Sequence, residues 1–235
     1  TFSVFIDNPV NIGYKVAGYD LPQLNIQEII VDGNEPIKET LTLTERRQAR
    51  KDSLTLRCEK AAEIANNSDE QWLIWCDLND ESAKLHEVIN DSVEVKGSDK
   101  PEHKSNSMIG FSEGKIKCLV TKPSIAGFGM NWQNCHNMIF TGLSDSYEQF
   151  YQAVRRCYRF GQKKPVNVYI IISAKEGCVK ENIERKQADF LKMQREMTEL
   201  TKKITKKELK STCRISTPYE PHVEMKLPEW EEFTK

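Results

Sequence analysis

Trp72-Leu73-Ile74-Trp75-Cys76-Asp77 has the length and near-continuous apolar character of a strand covered on both faces. Such a strand belongs inside a parallel sheet with helices above and below. The chain around it repeats the theme. Lys117-Cys118-Leu119-Val120-Thr121 and Asn137-Met138-Ile139-Phe140-Thr141 read as two more buried strands, Val166-Asn167-Val168-Tyr169-Ile170-Ile171-Ile172 as a β-rich run, and Asp91-Ser92-Val93-Glu94-Val95 as a short strand. Between them, residues 78–90 fit a helix with Leu85, Val88 and Ile89 inward. A turn at residues 97–101 leads to another helix, which ends near Gly114 and carries Met108, Ile109 and Phe111 on its apolar side. Alternation of strand and helix over this length predicts an α/β fold built on a parallel sheet flanked by helices.

Upstream, Ile26-Gln27-Glu28-Ile29-Ile30-Val31-Asp32 is β-branched, is bounded by Gly33-Asn34 and Pro36, and reads as the first strand. Thr44 fits an N-cap, and residues 45–66 fit one long or two abutting amphipathic helices ended by Asn66-Asn67-Ser68-Asp69. Phe2, Val4, Phe5 and Ile6 fit either a short strand or an edge left where a larger protein was cut. The missing initiator methionine points the same way, to a fragment or processed product.

The 235 residues are 38% hydrophobic and 29% charged, a globular and rather polar composition with net charge −1, so no overall basic field draws in nucleic acid. Seven cysteines at positions 58, 76, 118, 135, 157, 178 and 213 show no CxxC and no Cys/His pair at zinc spacing. They read as reduced thiols, and no metal site is expected. His86, His103, His136 and His222 fall in unrelated segments. Asp77, Asp80 and Glu81 fit a helix N-terminus better than an acid/base pair. The longest apolar run, near Ile170, is too short to span a bilayer. A cytoplasmic or nuclear protein with no membrane partner is the expectation.

Residues 147–162, Tyr-Glu-Gln-Phe-Tyr-Gln-Ala-Val-Arg-Arg-Cys-Tyr-Arg-Phe-Gly-Gln, read as one amphipathic helix stopped by Gly161. Arg156 and Arg159, three apart, would then project from neighbouring points of one face. Two planar, permanently charged forks aimed at one place suit a phosphate. The same spacing also fits a solvated basic face, and spacing alone leaves both open. The loop after the Lys117 strand, Lys122-Pro123-Ser124-Ile125-Ala126-Gly127-Phe128-Gly129-Met130-Asn131-Trp132, is polar and glycine-containing, as ligand-binding loops at strand carboxyl ends are. Gly127-x-Gly129 by itself fits a tight turn that needs backbone freedom.

Gln152-Ala153-x-x-Arg156-x-x-Arg159-x-Gly161-Gln162 resembles motif VI of superfamily 2 helicases, in the form used by SNF2-type DNA translocases. The loop resembles motif V of the same family, residues 72–77 take the place of motif IV, and residues 142–147 link motifs V and VI, all in the right order. The resemblance covers roughly residues 70–185; residues 18–32 and the helical stretch after them look like the start of the second lobe in bacteriophage helicase-like proteins. It implies a RecA-like second lobe and an ATP-dependent DNA translocase or helicase. It implies that Arg156 and Arg159 are arginine fingers, that Gly127, Gly129, Asn131 and Gln152 line the nucleotide cleft, and that Thr121, Lys122 and Ser124 face the nucleic-acid backbone. Arg155 departs from the pattern, standing where SNF2-type proteins usually carry an acidic residue.

No G-x-x-x-x-G-K-[ST] occurs in the chain, and no Asp-Glu strand of the Walker B type follows one. The cofactors implied, ATP and Mg²⁺, are therefore expected mainly on a first RecA-like lobe of the same protein, with duplex DNA as the other partner and a bacterial or phage-infected cytoplasm as the setting. This chain alone is not expected to hydrolyse ATP. The organisation expected is an N-terminal segment with the first strand at 1–40, the RecA-like lobe at 41–175, a brace-like helix at 176–210 with Ile183, Phe190, Met193, Met197, Leu200 and Ile204 as its stripe, and an extended tail at 211–235. Lys202, Lys203, Lys206, Lys207 and Lys210 fit a solvated helix end or a phosphate contact. Two other classes fit less of the chain: a non-catalytic nucleic-acid-binding or docking module, and a Rossmann-like enzyme such as a methyltransferase. The latter places its glycine loop after the first strand, and here it comes late.

Overall fold

The computed structural model describes residues 21–33, 42–127, 129–144, 146–176, 185–193, 195–197 and 199–201. The chain divides into two compact units, Thr1–Gln194 and Arg195–Lys235. In the second unit, 195–197 and 199–201 are helical. The sequence readings at residues 1–20, in the basic cluster from Lys202 and in the tail from 211 lie outside the described residues.

Among the described residues the first unit has six strands, all parallel: β1 (Leu24–Ile30), β2 (Trp72–Trp75), β3 (Ser92–Glu94), β4 (Cys118–Thr121), β5 (Asn137–Thr141) and β6 (Val166–Ile172). Their spatial order is β1-β6-β5-β2-β4-β3, so the chain crosses over β2 between β4 and β5. The helices are α1 (Leu43–Asp52), α2 (Leu54–Asn66), α3 (Asn79–Val88), α4 (Pro101–Ser112), α5 (Pro123–Ala126) and α6 (Tyr147–Val154). The expected α/β sheet is present, and the architecture is RecA-like. Among the described residues no helix is long and apolar enough to cross a membrane.

Period-two alternation in β2 assigns its side chains to two cores. Leu73 and Trp75 join one cluster with Phe111, Trp132, Phe140 and Val154; Trp72 and Ile74 join a second with Cys58, Ala61, Ala65 and Leu85. Both faces are thus dry, which is why β2 is apolar throughout. In the first core Trp75 lies 6.2 Å from both Trp132 and Phe140, and Phe111 meets Trp132 edge-on at 5.4 Å. Each such pair contributes roughly 0.5–1.5 kcal/mol beyond its buried area.

Register is pinned at the amino ends of three neighbouring strands by a row of asparagines. Asn25 donates to Asn167 at 3.0 Å, Asn167 to Asn137 at 2.9 Å, and Asn137 to the Glu70 carboxylate at 2.8 Å. The three asparagines are direct partners in the β1–β6–β5 ladders, so a one-residue slip would break the row and reverse every core side chain. The Asn137 amide holds the Glu70 carboxyl below its ordinary pKa, with His136 and Lys164 adding to the effect.

Two local boundaries differ from the sequence reading, and one alternative that it left open is decided. The first strand runs Leu24–Ile30, not Ile26–Asp32, and pairs along all seven residues with β6. The N-cap of α1 is Thr42, not Thr44: its hydroxyl accepts from Glu45 N at 3.3 Å while Glu45 reaches back to Thr42 N at 2.7 Å. The stretch after it is two helices that meet at Ser53, whose amide and hydroxyl both turn back to Ala49 O. Of the brace-like helix, residues 185–193 are described; Phe190 lies 5.8 Å from both Tyr147 and Tyr151 of α6.

Cys58, Cys76, Cys118, Cys135 and Cys157 are free and buried. Burial pushes Cys58 and Cys76 up to about 12 and Cys118 up to about 11, and raises Cys157 as well. Below pH 9 their thiolate fraction is tiny, roughly one part in a thousand or less for Cys118 at pH 8. Titration of the native chain at pH 8 with a chromogenic disulfide is therefore expected to consume no more than the two thiols outside the described residues, against seven after unfolding in guanidinium. Rapid reaction of more than two native thiols contradicts this packing.

Candidate functional site

The α6 helix starts at Ser146, whose hydroxyl accepts from Gln149 N at 3.3 Å, and it stops at Val154, seven residues short of the expected end. The carbonyls needed to continue it are taken. Arg156 O accepts the amide of Trp132 at 2.8 Å, and Cys157 O accepts Gln162 Nε2 at 3.2 Å. The backbone tightens into turns, with Arg156 N on Ala153 O and Cys157 N on Val154 O. Arg156 and Arg159 consequently do not share a helix face.

Gln162 and Gly161 fix these turns. The Gln162 side chain is buried; its Nε2 donates to Gln133 O, Cys135 O and Cys157 O, and its Oε1 accepts from Lys163 N and Lys164 N. Gly161 has φ +93°, and a Cβ there would sit 2.4 Å from Gln133 Oε1. A side chain is excluded by conformation and by space.

The two arginines sit in different surroundings. Arg156 is 8% exposed: Nη1 donates to Met130 O at 2.9 Å, Nε to Gln152 O at 2.9 Å and Nη2 to Gln152 Oε1 at 3.1 Å. Burial, and then the neighbouring Arg159 charge, lower its pKa. Arg159 is half-buried, and its guanidinium has no hydrogen bond or ion pair among the described residues. Arg155 folds back along α6, with Nε and Nη2 on the Tyr151 hydroxyl at 3.1 and 2.9 Å. That places a cation where the resembled family carries an acid.

The loop after β4 faces this turn. Thr121 is fully buried and its hydroxyl donates to Val95 O at 3.1 Å, so its side chain is not presented to a nucleic-acid backbone; its position as the last residue of an inner strand decides this. Lys122 is half-buried and reaches Asn79 Oδ1 at 2.8 Å, while Ser124 and Asn131 are exposed. Gly127 donates its amide to Pro123 O at 2.8 Å, and a Cβ there would lie 2.2 Å from that oxygen. Gly129 has φ +81°. Both glycines therefore have a backbone reason to be glycine. The loop is joined to the arginine turn at two points, Met130 O to the Arg156 side chain and Trp132 N to the Arg156 carbonyl.

Where β2 and β5 end, Trp75, Asp77, Pro123, Phe140, Gly142 and Phe150 line a cavity of about 20 Å³, room for one water. Among the described residues no group of three or more His, Cys, Asp or Glu side chains could hold a metal ion.

Within the lobe runs a buried ion pair that the sequence reading did not identify. Arg57 Nη2 lies 2.7 Å from Glu81 Oε1, with both side chains at most 1% exposed. Arg57 also donates to Ser53 Oγ at 3.0 Å, Arg50 O at 2.6 Å and Thr141 O at 2.6 Å, and Glu81 Oε2 accepts Asp77 N and Leu78 N at 3.0 Å each. A guanidinium amid Cys58, Ala61 and Ala65 was the available signal. Glu81 does cap a helix N-terminus, as expected of it.

Residues 56–161 match the family model described as the helicase conserved C-terminal domain. The match runs from α2 to Gly161 and so contains the loop, the arginine turn and the buried ion pair. Over 87 residues the chain is 36% identical to the bifunctional helicase and thymine dioxygenase JBP2 of Leishmania braziliensis, covering 35% of this chain and 8% of that protein. It is 30% identical over 124 residues to the TATA-binding protein-associated factor mot1 of Schizosaccharomyces pombe, covering 49% of this chain and 6% of that protein. The chain thus spans less than a tenth of these relatives. Among solved structures, T4 UvsW superposes with a TM-score of 0.51 at 18% identity over 64% of this chain and 32% of that one, a likeness of fold. Residues 56–161 are thus similar to a helicase C-terminal domain, and the sheet shares its fold with T4 UvsW.

Proposed function

We propose that this chain is the second motor lobe of an SNF2-type, ATP-dependent DNA translocase. The observation that carries the reading is Arg159: a half-buried guanidinium without a hydrogen bond or ion pair among the described residues, held on a turn that Gln162 braces with five hydrogen bonds. A desolvated cation left unpaired is costly, and an incoming anion repays that cost. The described residues supply a cation for a terminal phosphate but no carboxylate cluster for its metal, which fits Mg-ATP held mainly by a first RecA-like lobe of the same protein. Bound there, ATP supplies the phosphoryl group that is transferred to water. Arg159 pairs with the γ-phosphate oxygens and stabilises the charge that spreads over them in the transition state. Lys122 and Ser124 meet the backbone of duplex DNA, and Thr121 contributes by anchoring their loop to Val95. Gly129 and Asn131 line the nucleotide side of the cleft, and Gly127 keeps the loop close to Pro123.

Hydrolysis by the full-length protein, measured with and without duplex DNA, tests this. The full-length protein is expected to hydrolyse ATP faster with DNA, and this chain alone to be inert. DNA binding without any hydrolysis by the full-length protein would instead assign a binding module without catalysis.

A further inference from the structure

We infer that the outer edge of β1, with the α2 face beside it, is a docking site for an extended segment of a partner protein that is basic on one face and apolar on the other. This goes beyond the translocase reading and does not depend on it. β1 pairs with β6 in unbroken parallel register over all seven of its residues, and among the described residues no strand pairs with it on the other side. Val166 N donates to Gln23 O at 2.9 Å and Val31 N to Ile172 O at 3.1 Å. Backbone groups of successive residues in a strand point to opposite sides, so the odd-numbered residues of β1 bond to β6, while Leu24, Ile26 and Ile30 turn their amides and carbonyls outward. A bare edge is a template for another chain, and native edges are blunted by lysine, proline or a bulge. β1 has none of these.

The two faces of this edge set the chemistry of the segment. Leu56, Glu59, Lys60 and Glu63 recur at helical spacing along one side of α2, and with Ile29 and Val31 they line a groove of about 360 Å³. Leu56 and Glu59 are exposed, and Lys60 is held by Glu63 at 2.8 Å, so the groove wall carries an excess of negative charge. The opposite face is apolar: Leu24 and Ile30 pack toward the first core, and Ile26 on the same face is 50% exposed. A strand laid on β1 alternates its side chains between these two surroundings. Lysine or arginine on the α2 side runs its aliphatic stem along Leu56 to the Glu59 and Glu63 carboxylates, and apolar residues on the other side cover Ile26. Main-chain hydrogen bonds to β1 give affinity, and the alternation gives selectivity.

The test uses the full-length protein and a fluorescent peptide of about seven residues, the length of an ordinary strand, that alternates valine and lysine, with a valine–glutamate peptide as its counterpart. The basic peptide is expected to bind, less tightly as salt is raised, and the acidic one roughly tenfold more weakly or worse. Glu59→Lys/Glu63→Lys should weaken the basic peptide by roughly tenfold or more. Ile26→Pro removes an outward N–H, leaves the bonds to β6 in place and should weaken binding as well; the charge variant, at exposed positions of α2, serves if the proline variant does not fold. Hydrogen exchange at Leu24, Ile26 and Ile30 should be fast in the free protein and slowed by the basic peptide. Absence of binding, equal binding of the two peptides, or binding unaltered by Glu59→Lys/Glu63→Lys overturns the inference. So does slow exchange at those amides before peptide is added, which means that the protein's own chain covers the edge, or dimerisation that Ile26→Pro abolishes, which means that a second copy does.

Discussion

Arg159→Ala in the full-length protein is expected to lower kcat for DNA-stimulated ATP hydrolysis by roughly 10³- to 10⁵-fold, the range over which an arginine finger acts in phosphoryl transfer. Affinity for duplex DNA should hold, because the proposed backbone contacts lie on Lys122 and Ser124. Stability should hold too. Among the described residues the Arg159 guanidinium has no hydrogen bond or ion pair for its loss to orphan, and that loss relieves the repulsion that helps depress the Arg156 pKa. A surface-like change of within about 0.5 kcal/mol is anticipated. Arg159→Lys keeps the charge but not the planar fork and is expected to recover only part of the rate. The measurement is steady-state hydrolysis with binding and thermal melting alongside; a wild-type kcat in Arg159→Ala, with the protein folded, removes the finger assignment.

The contrast with Arg156 shows where reading the sequence stops. The strands were legible because their information is local: Trp72 to Trp75 is apolar at every position, and only burial on both faces rewards that. A parallel α/β sheet followed from the alternation of strand and helix, whereas the RecA-like assignment and the candidate site residues came from the resemblance of their motifs. The mode of the arginines did not follow. Nothing within residues 147–162 says that the helix stops at Val154, because its competitor for the Arg156 carbonyl is an amide 24 positions away, at Trp132. Thr121 was read as the last residue of its strand, and its nucleic-acid role came only from the resemblance; in the structure Val95 O takes its hydroxyl inward. Thr42, in contrast, was there to be read. A threonine three residues before Glu45 is a capping-box signature, and Thr44 has Arg47 at that position.

Arg57→Met is expected to be the most destabilising single change in the lobe, by roughly 3–5 kcal/mol, because it strands the Glu81 carboxylate in a dry core. Buried pairs in other folds are often replaced by apolar residues without loss, since the cost of drying two charges can exceed their attraction. That exchange should fail here. Arg57 also satisfies Thr141 O, Arg50 O and Ser53 Oγ, and Glu81 satisfies the amides of Asp77 and Leu78. An Arg57→Met/Glu81→Leu double variant removes the stranded charge but leaves backbone groups of α1, α3 and β5 without partners, at about 1–3 kcal/mol each. Urea unfolding should therefore place the double variant well below wild type and no better than the Arg57→Met single variant by more than a kcal/mol or so, roughly the worth of one net hydrogen bond. Recovery to wild-type stability would mean that the pair acts as an ordinary ion pair. Failure to recover would identify it as the joint that fixes α1, α2 and α3 to the carboxyl end of the sheet, where the loop and the arginine turn do their work.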